Sequence, residues 1–228
     1  MTYIKKSHTK RNIAIILIII VSVASATVAY ATLTAKKVEI GVKIGDTFTY
    51  SLMSTVHLTG NESIASDGFE KYNQTDYYKI IIKEINGTQI SMDTLWKFNN
   101  GTEITNSQTI DIANGQKSDD YGFWAIYPAN LNTADLLRPN GYDGNTVNNT
   151  DTVNYANGNR DRCFWRIDNQ FSDIRDPTGA TLMYDYRNIF FDKETGILTT
   201  LENYQVFNNP AKTEYIQWKL VDSSVWDV

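Results

Sequence analysis

The sequence predicts an all-β domain that follows a single N-terminal membrane-spanning helix. Residues 13–33 form an apolar run without a charged side chain. Beyond it, apolar residues recur at every second position over several stretches, which is typical of half-buried strands. Turn dipeptides such as Asn86-Gly87 separate these stretches, and the long helical crossovers that parallel strands need are missing. We therefore predict an antiparallel meander.

The apolar run has the length of a membrane span. Its residues would rise about 31 Å as a helix, close to the roughly 30 Å of a bilayer's hydrocarbon core. Positive charges precede it at Lys5, Lys6, Lys10 and Arg11. Because basic flanks stay on the cytoplasmic side, we expect residues 1–12 in the cytoplasm, 13–33 in the membrane, 34–40 as a linker and 41–228 outside.

A cleaved signal peptide is the alternative for the same segment. Ala24-Ser25-Ala26 and Ala29-Tyr30-Ala31 both offer the small residues that a signal peptidase requires. Cleavage would release a secreted domain, whereas an uncleaved segment gives a single-pass membrane protein. The domain is expected to be extracytoplasmic in both cases, where its five sequons would be glycosylation candidates: Asn61, Asn73, Asn86, Asn100 and Asn148.

The individual strands are predicted from alternation and turns. Phe48, Tyr50 and Leu52 share one face of the first strand, and residues 77–85 run into the Asn86-Gly87 hairpin. Further strands are predicted at residues 90–98, 104–112, 147–155, 160–167, 182–191, 197–207 and 213–221. One short helix is expected at residues 129–138, with Leu136 and Leu137 on its buried side, and residues 67–73 are expected to form a loop.

Charge and cysteine content exclude some classes of protein. Four of the 21 basic residues precede the apolar run, whereas all 26 acidic residues follow it. An acidic domain without a basic stripe is poorly suited to nucleic acid, because phosphate contacts supply most non-specific affinity. The single cysteine, Cys163, cannot form an intramolecular disulfide and is interpreted as a buried small hydrophobic residue.

Catalytic and metal-binding patterns are weak. Only His8 and His57 are present, and no phosphate loop, paired-cysteine spacing or HExxH motif occurs. We therefore predict no enzyme activity, no cofactor and no metal. A hydrolase using two carboxylates remains the least favoured alternative, since the separation of such carboxylates depends on the fold.

Aromatic residues are the most informative group. The chain contains 14 Tyr, five Trp and nine Phe, whose side chains combine apolar area with polar tips. They can fill a core or line a pocket. The candidates for lining a ligand site are Phe48, Tyr50, Trp96, Phe98, Trp165, Tyr184, Tyr186 and Trp218.

Four segments in order carry a family resemblance. They are GDTFTY at 45–50, PANLN at 128–132, YANGNR at 155–160 and FDKETGIL at 191–198. Together they resemble a group of uncharacterised archaeal membrane-anchored surface proteins. The group's layout is similar to the curved antiparallel half-barrel of lipoprotein carriers, which implies the same curvature here. The chain departs from the group's pattern at residues 133–137, where a Gly-Asp and a strand are usual.

The expected function is a membrane-anchored extracytoplasmic binding or interaction domain, with an apolar or lipid-like molecule as the expected ligand in the concavity of the sheet. The main alternative is a structural or adhesive component of the cell envelope that contacts other envelope proteins and has no small-molecule ligand.

Overall fold

The computed structural model describes Ser22 and residues 37–59, 63–118, 124–170, 182–208 and 211–228. Apart from Ser22, the predicted cytoplasmic N-terminus and membrane span lie outside these residues, as do linker residues 34–36. Among the described residues, no helical structure reaches the length and hydrophobicity that a membrane span requires. Residues 38–228 form one compact unit.

Nine strands and one short helix make up the described elements. The strands are β1 Thr47–Leu58, β2 Thr75–Asn86, β3 Gln89–Phe98, β4 Glu103–Asp111, β5 Asn149–Tyr155, β6 Gly158–Gln170, β7 Leu182–Asp192, β8 Leu198–Asn208 and β9 Ala211–Ser223. They form one antiparallel sheet in the order β4-β3-β2-β1-β9-β8-β7-β6-β5. The predicted all-β antiparallel class is therefore confirmed. Strands β4 and β5 are its two edges, so the described sheet does not close into a barrel.

Two meanders meet at the centre of the sheet. Strands β1 to β4 pair in chain order, as do β5 to β9, and β9 then pairs with β1 over nearly its whole length. The predicted Asn86-Gly87 hairpin is confirmed: Asn86 pairs with Gln89, and Gly87 takes a φ of 59° that a side chain would disfavour. Local turn chemistry thus sets both meanders, and the β1–β9 pairing unites them.

The two faces of the sheet differ in what covers them. Alternate residues such as Phe48 and Tyr50 of β1 and Trp218 of β9 point to a covered face and are buried. Residues 124–148, which we call the crossing segment, lie over this face on the way from β4 to β5, and Tyr127 and Leu131 enter the core from above. The opposite face, which we call the open face, carries the remaining alternate residues. The core therefore lies between the sheet and the crossing segment.

The helix predicted at residues 129–138 is wrong. The chain there forms successive turns, with positive φ angles of 57° at Asn130 and 70° at Ala134. The backbone N–H groups bond to distant carbonyls instead of forming a helical ladder: Ala129 donates to Glu39, and Asn130 donates to Lys193. The described helix is a 3₁₀-helix, Phe69–Tyr72, inside the stretch predicted as a loop.

Residues just before β1 pack as part of the domain. Val42 is buried, and Val38 and Ile40 pack against the same core. The backbone carbonyl of Glu39 accepts the N–H of Ala129 at 2.9 Å. The stretch interpreted as a linker thus ends in residues that contact the crossing segment.

Candidate ligand site on the covered face

The predicted aromatic candidates divide between the two faces. Six lie on the covered face: Phe48, Tyr50, Trp96, Phe98, Trp165 and Trp218. Tyr184 and Tyr186 lie on the open face, because Asp185 between them is the buried residue of that stretch of β7.

Most covered-face candidates contact other rings. Trp96 stacks on Phe98 with 4.9 Å between ring centroids, and Trp218 meets Tyr78 edge-on at 4.8 Å. These rings fill the core beside the 3₁₀-helix, whose Tyr72 contacts both Trp96 and Trp218. Aromatic pairs of this kind add to stability beyond the area that they bury.

A pocket lies between the crossing segment and strands β6 to β8. Its lining residues are Trp124, Tyr127, Ile167, Arg187, Ile189, Leu198 and Leu201, and its volume is about 60 Å³. We call it the Trp124 pocket. Since a water molecule occupies about 30 Å³ in the liquid, this space suits a small group rather than a whole lipid. None of the eight predicted candidates lines it; Trp165 reaches it only through Tyr127.

Tyr127 places a hydroxyl in the pocket wall. Its oxygen accepts a hydrogen bond from Nε1 of Trp165 at 3.3 Å, and its ring stacks on Phe191. Burial raises the pKa of Tyr127 to about 12, although the Trp165 bond and the positive charges of Arg138 and Arg187 act in the opposite direction. The phenol is therefore neutral at physiological pH, and its O–H is a hydrogen-bond donor.

Arg187 provides the only charged side chain of the lining. Asp185, two residues earlier on the same face of β7, holds it through both carboxylate oxygens: Nε donates to Oδ1 at 2.9 Å and Nη2 to Oδ2 at 2.7 Å. Asp185 is buried, whereas the side chain of Arg187 is 33% exposed. Neither bond uses Nη1, so the pair fixes the guanidinium and leaves Nη1 as a donor.

Asn203 of β8 lies directly across from Arg187. Its Oδ1 is buried and makes no hydrogen bond within the described part of the protein. A buried acceptor without a partner costs about 1–3 kcal/mol, and such groups often mark places where water or a ligand binds. Tyr127 and Arg187 thus contribute donors to the pocket lining, and the buried Asn203 acceptor lies on the strand beside Arg187.

The open face carries a second aromatic group. Tyr186, Tyr204 and Tyr215 follow one another across β7, β8 and β9, with ring centroids 6.1 Å and 4.4 Å apart. Arg166 covers Tyr186 at 4.8 Å. On the neighbouring part of the face, Phe164 and Phe190 stack at 4.8 Å, and Arg162 covers Phe190 at 4.6 Å. We call these seven residues the aromatic–arginine surface.

The remaining predicted residues lie apart from the pocket. His57 is exposed on the open face of β1, and Cys163 is buried with its Sγ donating to the Leu131 carbonyl at 3.3 Å. Among the described sequons, Asn73 bonds both ways with the backbone of Ser54, while Asn86, Asn100 and Asn148 are exposed; Asn61 lies outside the described residues. The described residues contain no group of three His, Cys, Asp or Glu side chains able to hold a metal ion.

Part of the pocket was visible in the sequence. Trp165 and Ile167 alternate on β6, and Asp185, Arg187 and Ile189 alternate on β7, so this spacing alone would have placed each set on one face. Arg187 was passed over because only aromatic residues were chosen as candidates. Comparisons with protein-family models, curated proteins and solved structures gave no match.

Proposed function

We propose that the protein is a membrane-anchored extracytoplasmic binding domain that holds an apolar ligand in the Trp124 pocket. Residues 13–33 are the anchor in this proposal, and the half-barrel curvature of the sheet provides the concavity. The observation that carries the proposal is the pocket itself. Its lining combines aliphatic and aromatic side chains with the Tyr127 hydroxyl and the Arg187 guanidinium, which is the composition of small-molecule sites.

Trp124 is the group that would admit a larger ligand. Its Nε1 donates to the Gly115 carbonyl at 2.9 Å, and its ring lies 4.3 Å from the Arg138 guanidinium and 5.0 Å from the Lys117 ammonium. The backbone beside it is held more firmly, because the Ala125 carbonyl accepts the N–H of Leu198. Rotation of one side chain would enlarge the pocket without displacing the crossing segment.

Photolabelling of the full-length chain in membranes tests this proposal. A neutral alkyl alcohol that carries a diazirine should label peptides containing residues of the pocket, mapped by mass spectrometry. Leu201→Trp should fill the pocket and lower that labelling at least tenfold. Val206→Trp, on the open face of the same strand, is the matched control and should leave it unchanged. Equal labelling of both variants and wild type would refute the pocket as the ligand site.

A structural or adhesive role in the cell envelope is the second candidate, and the aromatic–arginine surface favours it. Tyr, Phe and Arg are enriched at protein interfaces, and Tyr204 is 39% exposed on this face. The double variant Tyr204→Ser/Arg166→Ser should abolish self-association of the full-length chain in sedimentation velocity experiments if this surface joins copies. A wild-type chain that stays monomeric at high concentration would remove the support for a self-adhesive role.

A further inference from the structure

The polar groups in and beside the Trp124 pocket indicate which head group its ligand carries. The Tyr127 hydroxyl and the Arg187 guanidinium belong to the lining, and the Asn203 amide lies on β8 across from Arg187. The Tyr127 O–H and Nη1 of Arg187 are donors with no acceptor in the bonds described above. A ligand that turns a purely apolar end toward them would leave the buried Tyr127 O–H without an acceptor, which costs about 1–3 kcal/mol.

We infer that the ligand carries a carboxylate, which Arg187 and Tyr127 bind, while the apolar chain leads toward Trp124. This inference rests on the proposed function. A carboxylate has two oxygens in one plane, matching one guanidinium N–H and one phenol O–H, and bonds between an ionised acceptor and such donors are about twice as strong as neutral ones. Its size also suits a space of about 60 Å³.

The charges around the pocket support an anion. Asp185 is the nearest carboxylate on β7, and both its oxygens already bind Arg187. The two charged groups that act on the Tyr127 hydroxyl, Arg138 and Arg187, are both positive. Arg138 is itself buried, binds Asp143 through Nη1 and has no partner for Nη2 among the described residues. The hydroxyl therefore lies in a positive potential, and this favours an ionised acceptor over an amine or an alcohol.

Asn203 can adapt to a carboxylate. A half-turn of its amide about χ2 exchanges Oδ1 for Nδ2, which is a donor of nearly the same size. Binding of an acid would favour that arrangement, because it replaces a buried acceptor without a partner by a third donor. An alcohol or an amine would gain less from this exchange, since its own O–H or N–H can donate to Oδ1 without it.

Competition among six-carbon ligands tests the inference on the full-length chain. Hexanoate, hexanol, hexylamine and hexyl phosphate differ only in the head group and are soluble enough to compete with the neutral photoprobe from water. At pH 7.5 we expect hexanoate to displace the probe from the pocket at concentrations at least tenfold lower than hexanol. Tyr127→Phe and Arg187→Met should each bring hexanoate close to hexanol.

The outcomes separate the two proposals. Equal competition by hexanoate and hexanol, or stronger competition by hexylamine or hexyl phosphate than by hexanoate, would overturn the carboxylate while leaving the pocket as a binding site. Failure of the photoprobe to label the pocket at all would overturn the proposed function. The wild-type head-group series decides the question even if Arg187→Met does not fold, because it needs no variant.

Discussion

At the scale of the residue, Gly196 shows how closely the crossing segment approaches the sheet. It follows the turn after β7, takes a φ of 75°, and a Cβ built on it would lie 2.0 Å from the Tyr127 carbonyl oxygen. The obstructing atom is backbone, so no side-chain rotation relieves the overlap. The same approach allows the Tyr127 N–H to donate to the Gly196 carbonyl at 2.9 Å. Only glycine fits there.

Gly196→Ala should therefore destabilise the protein by more than about 3 kcal/mol, since a strained φ and a backbone overlap combine. The measurement is urea unfolding followed by tryptophan fluorescence. Gly87→Ala is the matched control: its φ is 59°, but nothing lies within 4 Å of the added Cβ, so only the strain of roughly 1–2 kcal/mol remains. Similar losses in both variants would contradict the close approach.

The buried Tyr127 hydroxyl makes the free energy of unfolding depend on pH in the alkaline range. Its pKa of about 12 in the folded state exceeds the ordinary value of 10.0. A raised folded pKa means that the folded state holds the proton more tightly, so the contribution is complete below pH 10 and is lost as pH rises toward 12. A difference of two units corresponds to about 2–3 kcal/mol.

Comparison with Tyr127→Phe isolates this contribution. Near pH 8 the wild type should be more stable by about 1 kcal/mol, because the variant leaves the Trp165 indole N–H unpaired. The difference should shrink and then reverse between pH 10 and pH 12 in denaturant titrations. Tyr50 and Tyr215, whose pKa values are also raised, are present in both proteins and cancel. A difference independent of pH would contradict the burial of the hydroxyl.

At the scale of the element, an ion pair joins the 3₁₀-helix region to the end of β9. Lys212 and Glu214 lie 2.9 Å apart with less than a tenth of either side chain exposed. Both also bind Ser66: Nζ of Lys212 donates to its hydroxyl at 2.8 Å, and Glu214 accepts its backbone N–H at 2.6 Å. Two charges on one strand thus hold a separate segment against the covered face.

Lys212→Met should cost about 3–5 kcal/mol, because it leaves the Glu214 carboxylate buried without a cation. Adding Glu214→Gln should restore much of that loss, since the amide oxygen still accepts the Ser66 N–H without a buried charge. Stability is measured by urea unfolding, and hydrogen exchange of residues 66–72 reports whether the segment detaches. Lys83→Met is the control: that lysine pairs with Asp93 at 3.2 Å in an exposed position, and its loss should change stability by less than about 1 kcal/mol. Equal losses of stability in Lys212→Met and Lys83→Met would contradict the role of burial in the Lys212–Glu214 ion pair.

The elements also show what local sequence can predict. The hairpin at Asn86-Gly87 was predictable because its turn chemistry and alternation lie within a few residues. The β1–β9 pairing was not, since it joins positions as distant as Ser51 and Lys219 and no turn connects them. The helix prediction at 129–138 failed, because the N–H groups of Ala129 and Asn130 find partners before β1 and just after β7. Hydrogen bonds to distant parts of the chain therefore determined the conformation of residues 129–138.

The candidate site, like the fold, could be predicted from the sequence only in part. The alternate spacing of Trp165 and Ile167, and of Arg187 and Ile189, would have placed each pair on one face. It could not predict that Trp124 and Tyr127 would cover them, because the path of the crossing segment depends on contacts with Gly196 and Leu198 that are remote in the chain. The sequence therefore indicated which strand residues line the pocket. That Trp124 and Tyr127 cover these residues could be seen only in the folded structure.

At the scale of the whole molecule, one domain begins well before its first strand. Val38, Ile40 and Val42 pack against the core, and Glu39 bonds to Ala129 through its backbone and to Asn130 through its side chain. The chain before β1 thus lies under the same crossing segment that covers the pocket. We therefore expect residues 38–42 and the crossing segment, which covers the pocket, to unfold together.

Two truncations test where the domain begins. Residues 38–228 should fold with a β-type circular-dichroism spectrum and unfold in one cooperative urea transition, whereas residues 43–228 should lose about 3–5 kcal/mol, because the truncation removes Val42 and two partly buried aliphatic side chains. The shorter fragment should also lose hydrogen-exchange protection at Ala129, whose N–H no longer has the Glu39 carbonyl. The longer fragment shows whether anything before residue 38 is needed for folding. Equal stability of the two fragments would mean that residues 38–42 contact the domain without stabilising it, and that the remaining bonds of the crossing segment, such as Asn148 N–H to the Phe164 carbonyl, suffice to hold it.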